Sequence, residues 1–189
     1  MIRIAVLGDI GSGKSYVAKQ FGYPVFNADD EVAKLYKKSR KCYNKLKKKL
    51  PKYIVSFPIK KMEISNAIIA GQHNLKKIIK IVHPEVRFRM NSFIKKNKNK
   101  KAVVLDISLL LENKINNKND IIVFIQSKKS DILKKLKKRR NFNIKLFNKF
   151  KKIQLSLDYK KKKSHFIIKN NFKKKSVKIK IKKILGEIL

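Results

Sequence analysis

The sequence predicts an α/β fold, a mostly parallel five-stranded sheet flanked by helices, and three observations carry that expectation. First, several short runs, residues 2–7 (IRIAVL), 102–105 (AVVL) and 121–125 (IIVFI), are continuously apolar. Strands buried on both faces of a parallel sheet read this way, without alternation. Second, stretches with apolar residues at helical spacing separate these runs. Third, the first run ends directly in the glycine-rich segment 8–13. The chain has 189 residues with 43% hydrophobic content, enough for one compact domain over 1–189.

Taken in order, strand 2–7 is bounded by Gly8, and 15–21 reads as a helix. Gly22 stops that helix, a short strand fits 24–27, and Asp29 and Asp30 sit where a new helix begins. From residue 31 to about 98 the text is helical, with Val32, Leu35, Tyr36, Ile68, Ile69, Leu75, Ile78, Ile79 and Val82 at spacings of three and four. Pro51, Pro58 and Pro84 punctuate it, so His83, before Pro84, is expected at a helix boundary. Strand 102–105 ends in Asp106 and strand 121–125 in Gln126. A basic helix over 131–140, a Lys-rich helical segment over 141–163, a strand at 166–168 and a terminal helix over 177–189 complete the chain. In such sheets ligands bind beyond the carboxyl ends of the strands.

One motif falls at such an end. Gly8, Asp9, Ile10, Gly11, Ser12, Gly13, Lys14 and Ser15 fit GxxxxGK[ST] between a strand and a helix, which is the context this phosphate-binding loop requires. Its glycines let backbone N–H groups face a concavity, and the following helix adds a partial positive charge. Lys14 would reach the β- and γ-phosphates, and the Ser15 hydroxyl would bind Mg²⁺. Chain length and the lack of a guanine-reading NKxD segment favour a compact metabolite kinase. Asp29 fits a base for the acceptor hydroxyl, and it equally fits helix capping. Asp106 fits a carboxylate orienting Mg²⁺, or a polar residue that ends a strand. Arg139 and Arg140 end the basic helix and could stabilise charge on the triphosphate. His83, beside Ile79 and Val82, fits a packed or capping residue, and no His or Cys cluster suggests a structural metal.

The net charge of +39, from 51 basic and 12 acidic residues, would by itself suggest nucleic acid as a partner. Only six of the cations are arginine, though, and the lysine runs lack aromatic interleaving. The excess therefore reads as solvated surface from compositional drift, and no nucleic acid is expected. It would still steer polyanions such as ATP in a salt-sensitive way. Cys42 is the sole cysteine, so no intramolecular disulfide framework is expected and a reducing cytoplasm is the simplest expected setting. No apolar run approaches the roughly 20 residues of a membrane span.

These segments together resemble the dephospho-CoA kinase family. The resemblance rests on GDIGSGKS at 8–15, FNAD at 26–29, VHPEV at 82–86, LDISLLLEN at 105–113, LKKRR at 136–140, Gln154 and HFIIKNN at 165–171. It implies ATP-dependent phosphorylation of the ribose 3′-hydroxyl of dephospho-CoA with Mg²⁺. It further implies a helical acceptor region over about 30–98 and a lid over about 136–160. Carried over residue by residue, Asp29, Lys14 and Arg139 are catalytic and Ser15 serves the metal, beside Asp106, which its place at a strand end suggests for the same ion. Gly8, Ile10, Gly11, Ser12, Gly13, Lys14, Ser15, Tyr16 and Asn170 bind the nucleotide, and Asp29, Lys61, His83 and Glu112 bind the acceptor. Departures are Asp9, Tyr16, Asn27, Ser108, Ser164, His165 and Phe172, with Lys61 and Lys135 where the family has arginine. None removes Lys14, Ser15 or Asp29, so an active enzyme is expected. Another kinase, acting on nucleoside monophosphates through Arg40, Arg87 and Arg89, and a basic nucleic-acid-binding protein remain alternatives.

Overall fold

The computed structural model describes every residue except Arg140 and Asn141. The chain divides into two compact units: Met1–Asn27 with Lys96–Phe142 and Ile153–Leu189, and Ala28–Lys95 with Asn143–Lys152.

The first unit is built on β1 (Ile2–Gly8), β2 (Val25–Asn27), β3 (Ala102–Asp106), β4 (Ile121–Gln126) and β5 (Phe166–Lys169). They form one parallel sheet in the order β2-β3-β1-β4-β5. The apolar runs of the sequence thus become the strands, and all five residues of β3 are buried. Helices α1 (Lys14–Gln20), α6 (Lys129–Lys137), α8 (Leu157–Lys162) and α9 (Lys174–Ile188) complete the unit. Ile4, Val6, Val104, Val123 and Ile125 of the sheet pack with Val17, Ala18 and Phe21 and with Val177, Ile181 and Ile184 of α9 in one apolar cluster. β1 is central, with β3 on one side and β4 on the other, so the crevice beyond its carboxyl end lies where the strand order reverses.

Register sets the polar chemistry. Val6 pairs with Asp106, and Asp106 pairs with Asn27. The ends of β1, β3 and β2 therefore lie in one row beneath the segment 8–15.

The second unit comprises α2 (Ala28–Lys38), α3 (Arg40–Lys49), α4 (Lys61–Ala70), α5 (Gln72–Lys96) and α7 (Ile144–Lys152), with α2 against α3 and α4 against α7. Leu35, Leu46, Ile54, Ala67, Leu75 and Val82 are among its buried side chains.

Several boundaries differ from expectation for physical reasons. Pro84 does not end a helix: α5 runs through it, because the stripe Leu75, Ile78, Val82 and Met90 is buried along its length and outweighs the one hydrogen bond that proline forfeits. His83 is therefore in mid-helix. Asp29 and Asp30 do not cap α2; the chain passes directly from β2 into the helix at Ala28, which puts both in the first turn, where acids complement the helix dipole. The basic helix starts earlier and stops at Lys137, so Arg139 follows it, its N–H closing a turn on the Leu136 carbonyl at 3.0 Å. Arg140 lies outside the described residues. The segment expected as one helix over 141–163 is two, and Ser156 caps the second by accepting the Tyr159 N–H at 3.2 Å.

Candidate active site

The segment 8–15 folds as a loop between β1 and α1, and its glycines are required by position. Gly13 has φ +89°, and a Cβ there would stand 2.5 Å from Asn170 Nδ2. Gly11 has φ +84° and abuts Leu136 and Ile132 of α6 at 3.0 and 3.1 Å from a would-be Cβ. The loop is thus squeezed between α6 on one side and the residues after β5 on the other.

Inside it, the Ser12 N–H donates to the Asp9 carbonyl at 3.1 Å. The Ile10 N–H donates to Asp9 Oδ1 at 2.7 Å. Lys14 is buried, and its ammonium donates to the Asp9 and Gly8 carbonyls at 2.8 and 3.3 Å. The loop therefore folds a buried cation back on its own backbone at the start of α1, and loops of this composition receive phosphate oxygens.

Two struts hold the loop from outside. Asn170, 2% exposed, donates through Nδ2 to the Ser12 carbonyl at 2.8 Å, and its Oδ1 accepts the Phe172 N–H at 2.9 Å. Ser127 Oγ donates to the same Ser12 carbonyl at 3.0 Å. Asn170 thus has both ends of its amide engaged with backbone.

Beneath the loop, the register row gathers hard oxygen donors. Asn27 Nδ2 donates to Asp106 Oδ2 at 2.6 Å and to Ser15 Oγ at 3.4 Å. One amide thereby holds a hydroxyl and a buried carboxylate near each other. A magnesium ion that takes one or two protein oxygens and completes its shell with phosphate and water fits this donor set.

Glu112 has a different setting. It is 9% exposed, and its Oε1 lies 2.6 Å from the ammonium of Lys160, a fully buried lysine. The Leu155 N–H donates to the same carboxylate at 3.0 Å. Lys160 also reaches Gln154 Oε1 and the Ser108 carbonyl, at 3.4 and 3.5 Å. This network ties α8 to the segment after β3.

Asp29, Lys61 and His83 belong to the second unit: Asp29 is exposed in the first turn of α2, Lys61 opens α4 and His83 is half-buried in α5. Beside Asp29, Glu31 pairs with Lys34 at 2.6 Å and Arg89 at 2.9 Å. Burial pushes the Glu31 carboxyl up, but the hydrogen bonds and charges of these two cations outweigh it and hold the group below its ordinary range. Cys42 is a buried free thiol, pushed up to about 11 by burial and by the nearby Glu85.

The structure thus brings Gly8 to Tyr16, Asp106 and Asn170 together. Asn27, Ser127 and Lys160 were not singled out from sequence. Asn27 stood out only as a departure from an expected aspartate, although its place at a strand end was a usable signal. Nothing marked Ser127, or Lys160 among so many lysines.

A family model described as dephospho-CoA kinase matches residues 2–176. Dephospho-CoA kinase of Wolbachia pipientis wMel is 34% identical over 190 positions, covering 98% of this chain and 97% of that protein. Among solved structures, TT1252 from Thermus thermophilus superposes with a TM-score of 0.80 at 22% identity, covering 100% of this chain and 98% of that one. Dephospho-CoA kinase from Campylobacter jejuni gives 0.66 at 20% identity, covering 98% and 96%. The two superpositions support the fold.

Proposed function

The chain belongs to the dephospho-CoA kinase family, and on that premise we propose that it transfers the γ-phosphoryl group of ATP to the ribose 3′-hydroxyl of dephospho-CoA, giving CoA and ADP. The observation that carries this reading is the loop at Gly8 to Ser15, with Lys14 buried inside it and Asn27 joining Ser15 to Asp106 below it. Lys14 and the loop N–H groups hold the phosphate oxygens, and the negative charge that develops during transfer is met by donors already in place. Ser15 and Asp106 would hold Mg²⁺, which supplies charge neutralisation between phosphate oxygens when bound. Tyr16 contributes its backbone N–H at the start of α1, and Arg139, exposed after α6, adds a cation for the triphosphate.

Asp29 is assigned the role of base for the acceptor hydroxyl. Its chemistry supports this: an exposed carboxylate two residues after the Asn27–Asp106 row is able to take a proton. Lys61 and His83 are assigned to the acceptor. Glu112 is assigned a positioning role through Lys160. The setting we infer is the cytoplasm, where both substrates would be met and where Cys42 stays reduced.

The test is ADP release by purified protein from ATP and Mg²⁺, with dephospho-CoA or a panel of nucleoside monophosphates as acceptor. Turnover with dephospho-CoA is expected; turnover confined to the monophosphates would overturn the reading. Asp29→Asn is expected to lower kcat by about 10²–10⁴-fold with the dissociation constant for ATP unchanged. A variant that instead lost ATP binding would refute the base assignment.

A further inference from the structure

Asp9 is the only acidic side chain in the loop 8–15. Acids are scarce here, 12 against 51 cations, yet Asp9 enters none of the ion pairs among the described residues. It is bonded to the loop instead. Its Oδ1 accepts the Ile10 N–H at 2.7 Å, and its backbone carbonyl accepts the Ser12 N–H at 3.1 Å and the Lys14 ammonium at 2.8 Å. The residue is half-buried. Its carboxylate is therefore tied to the same stretch of backbone that holds the cation of the loop, well inside the roughly 10 Å over which charges interact at about 0.1 M salt. The loop thus carries one negative side chain beside its positive one, where a receptor built only to attract anions would carry the positive one alone.

We propose that Asp9 is a specificity-determining residue, whose carboxylate makes the loop discriminate against metal-free nucleotide in favour of the metal-bound form. The inference deepens the kinase reading above, from which it takes ATP and Mg²⁺ as ligands. Phosphoryl transfer needs the metal-bound nucleotide, so a metal-free triphosphate seated in the loop is a dead-end complex. A protein with a net charge of +39 draws polyanions toward it, the most highly charged most strongly. Left alone, that field favours the unproductive ligand. A fixed negative charge inside the receptor acts in the opposite sense. A divalent ion cancels part of the phosphate charge, so repulsion by one carboxylate falls more heavily on the metal-free form. The hydrogen bond from the Ile10 N–H keeps that carboxylate at the loop rather than turned into solvent.

The experiment measures dissociation constants by isothermal titration calorimetry at one salt concentration, for ATP with EDTA, ATP with excess Mg²⁺, and inorganic tripolyphosphate with EDTA. It compares the wild type with Asp9→Asn, Asp9→Gly and Glu187→Gln in the full chain. Asp9→Asn keeps an oxygen for the Ile10 N–H and removes only the charge. It should bind metal-free ATP and tripolyphosphate about tenfold tighter than the wild type, and metal-bound ATP only about threefold tighter. Asp9→Gly should show the same unequal shift, and two substitutions of different size guard against a folding failure in one. Glu187→Gln removes an equal charge from an exposed position about 20 Å along α9 from Lys174, and should leave all three constants within about twofold of the wild type. The proposal is overturned if Asp9→Asn binds all three ligands as the wild type does, if it tightens all three equally, or if Glu187→Gln reproduces its shift. A wild type without turnover on dephospho-CoA, alongside the unequal shift in Asp9→Asn, would defeat the acceptor assignment and leave this inference standing.

Discussion

Four ion-paired acidic residues, two in each unit of the chain, sit in opposite settings. In the first, Glu112 and Asp120 are 9% and 0% exposed, and each faces one cation, Lys160 and Arg3. In the second, Glu31 and Glu85 are 17% and 23% exposed, and each is shared between two cations on the surface of the helices. With 51 cations against 12 acids, a cation gains importance by reaching a carboxylate out of water. Buried pairs are costly to break because the remaining charge stays buried, whereas exposed pairs contribute little. The difference teaches that, in so basic a protein, acids are a better guide to structurally important lysines than the lysines themselves.

The largest expected effect follows from the buried pair. Lys160→Met leaves the Glu112 carboxylate without its cation and should cost about 3–5 kcal/mol of folding stability, measured by urea unfolding. Adding Glu112→Leu removes the stranded charge, and the double variant should recover most of that loss. A single variant that loses less than about 1 kcal/mol would break the comparison between the units.

Next in size is the phosphate loop. Gly13→Ala must strain φ at +89° and place a methyl group 2.5 Å from Asn170 Nδ2, whose amide cannot yield without releasing the Ser12 carbonyl. ATP affinity should fall about 100-fold, equivalent to about 2.7 kcal/mol. Gly22→Ala is the control. Gly22 has φ +76° with nothing within 4 Å, so it isolates the conformational strain, about 1–2 kcal/mol of stability with ATP affinity intact.

The sheet and the loop were legible because their signals are local: contiguous apolar runs make strands, and GDIGSGKS is a chain-contiguous receptor. The place of Asp106 at the end of a central strand was readable for the same reason. What escaped was set by register and burial. That Asn27 would join Ser15 to Asp106 depends on β2 lying beside β3, a pairing between residues 79 apart in the chain. Lys160 could not be distinguished by type from its neighbours Lys161, Lys162 and Lys163; burial separates it, and burial follows from how α8 meets the segment after β3. Pro84 misled because local rules forbid it in mid-helix, while a long buried stripe on α5 overrules them.

The smallest effect sharpens the comparison from the side of the exposed unit. Arg89→Ala removes one of the two cations on Glu31, whose carboxyl those cations hold below its ordinary 4.5. A depressed folded-state pKa contributes stability that is present above the unfolded value and is lost as pH falls through the folded one. The variant should therefore be less stable than the wild type at neutral pH by at most about 1 kcal/mol, since Arg89 is one-third exposed and Lys34 remains in place. As pH is lowered below 4.5 and Glu31 takes up its proton, the two denaturation midpoints should converge. A gap that stayed constant down to acid pH would mean that Arg89 acts through the packing of its aliphatic stem on α5, and the contrast between buried and exposed pairs would then rest on the first unit alone.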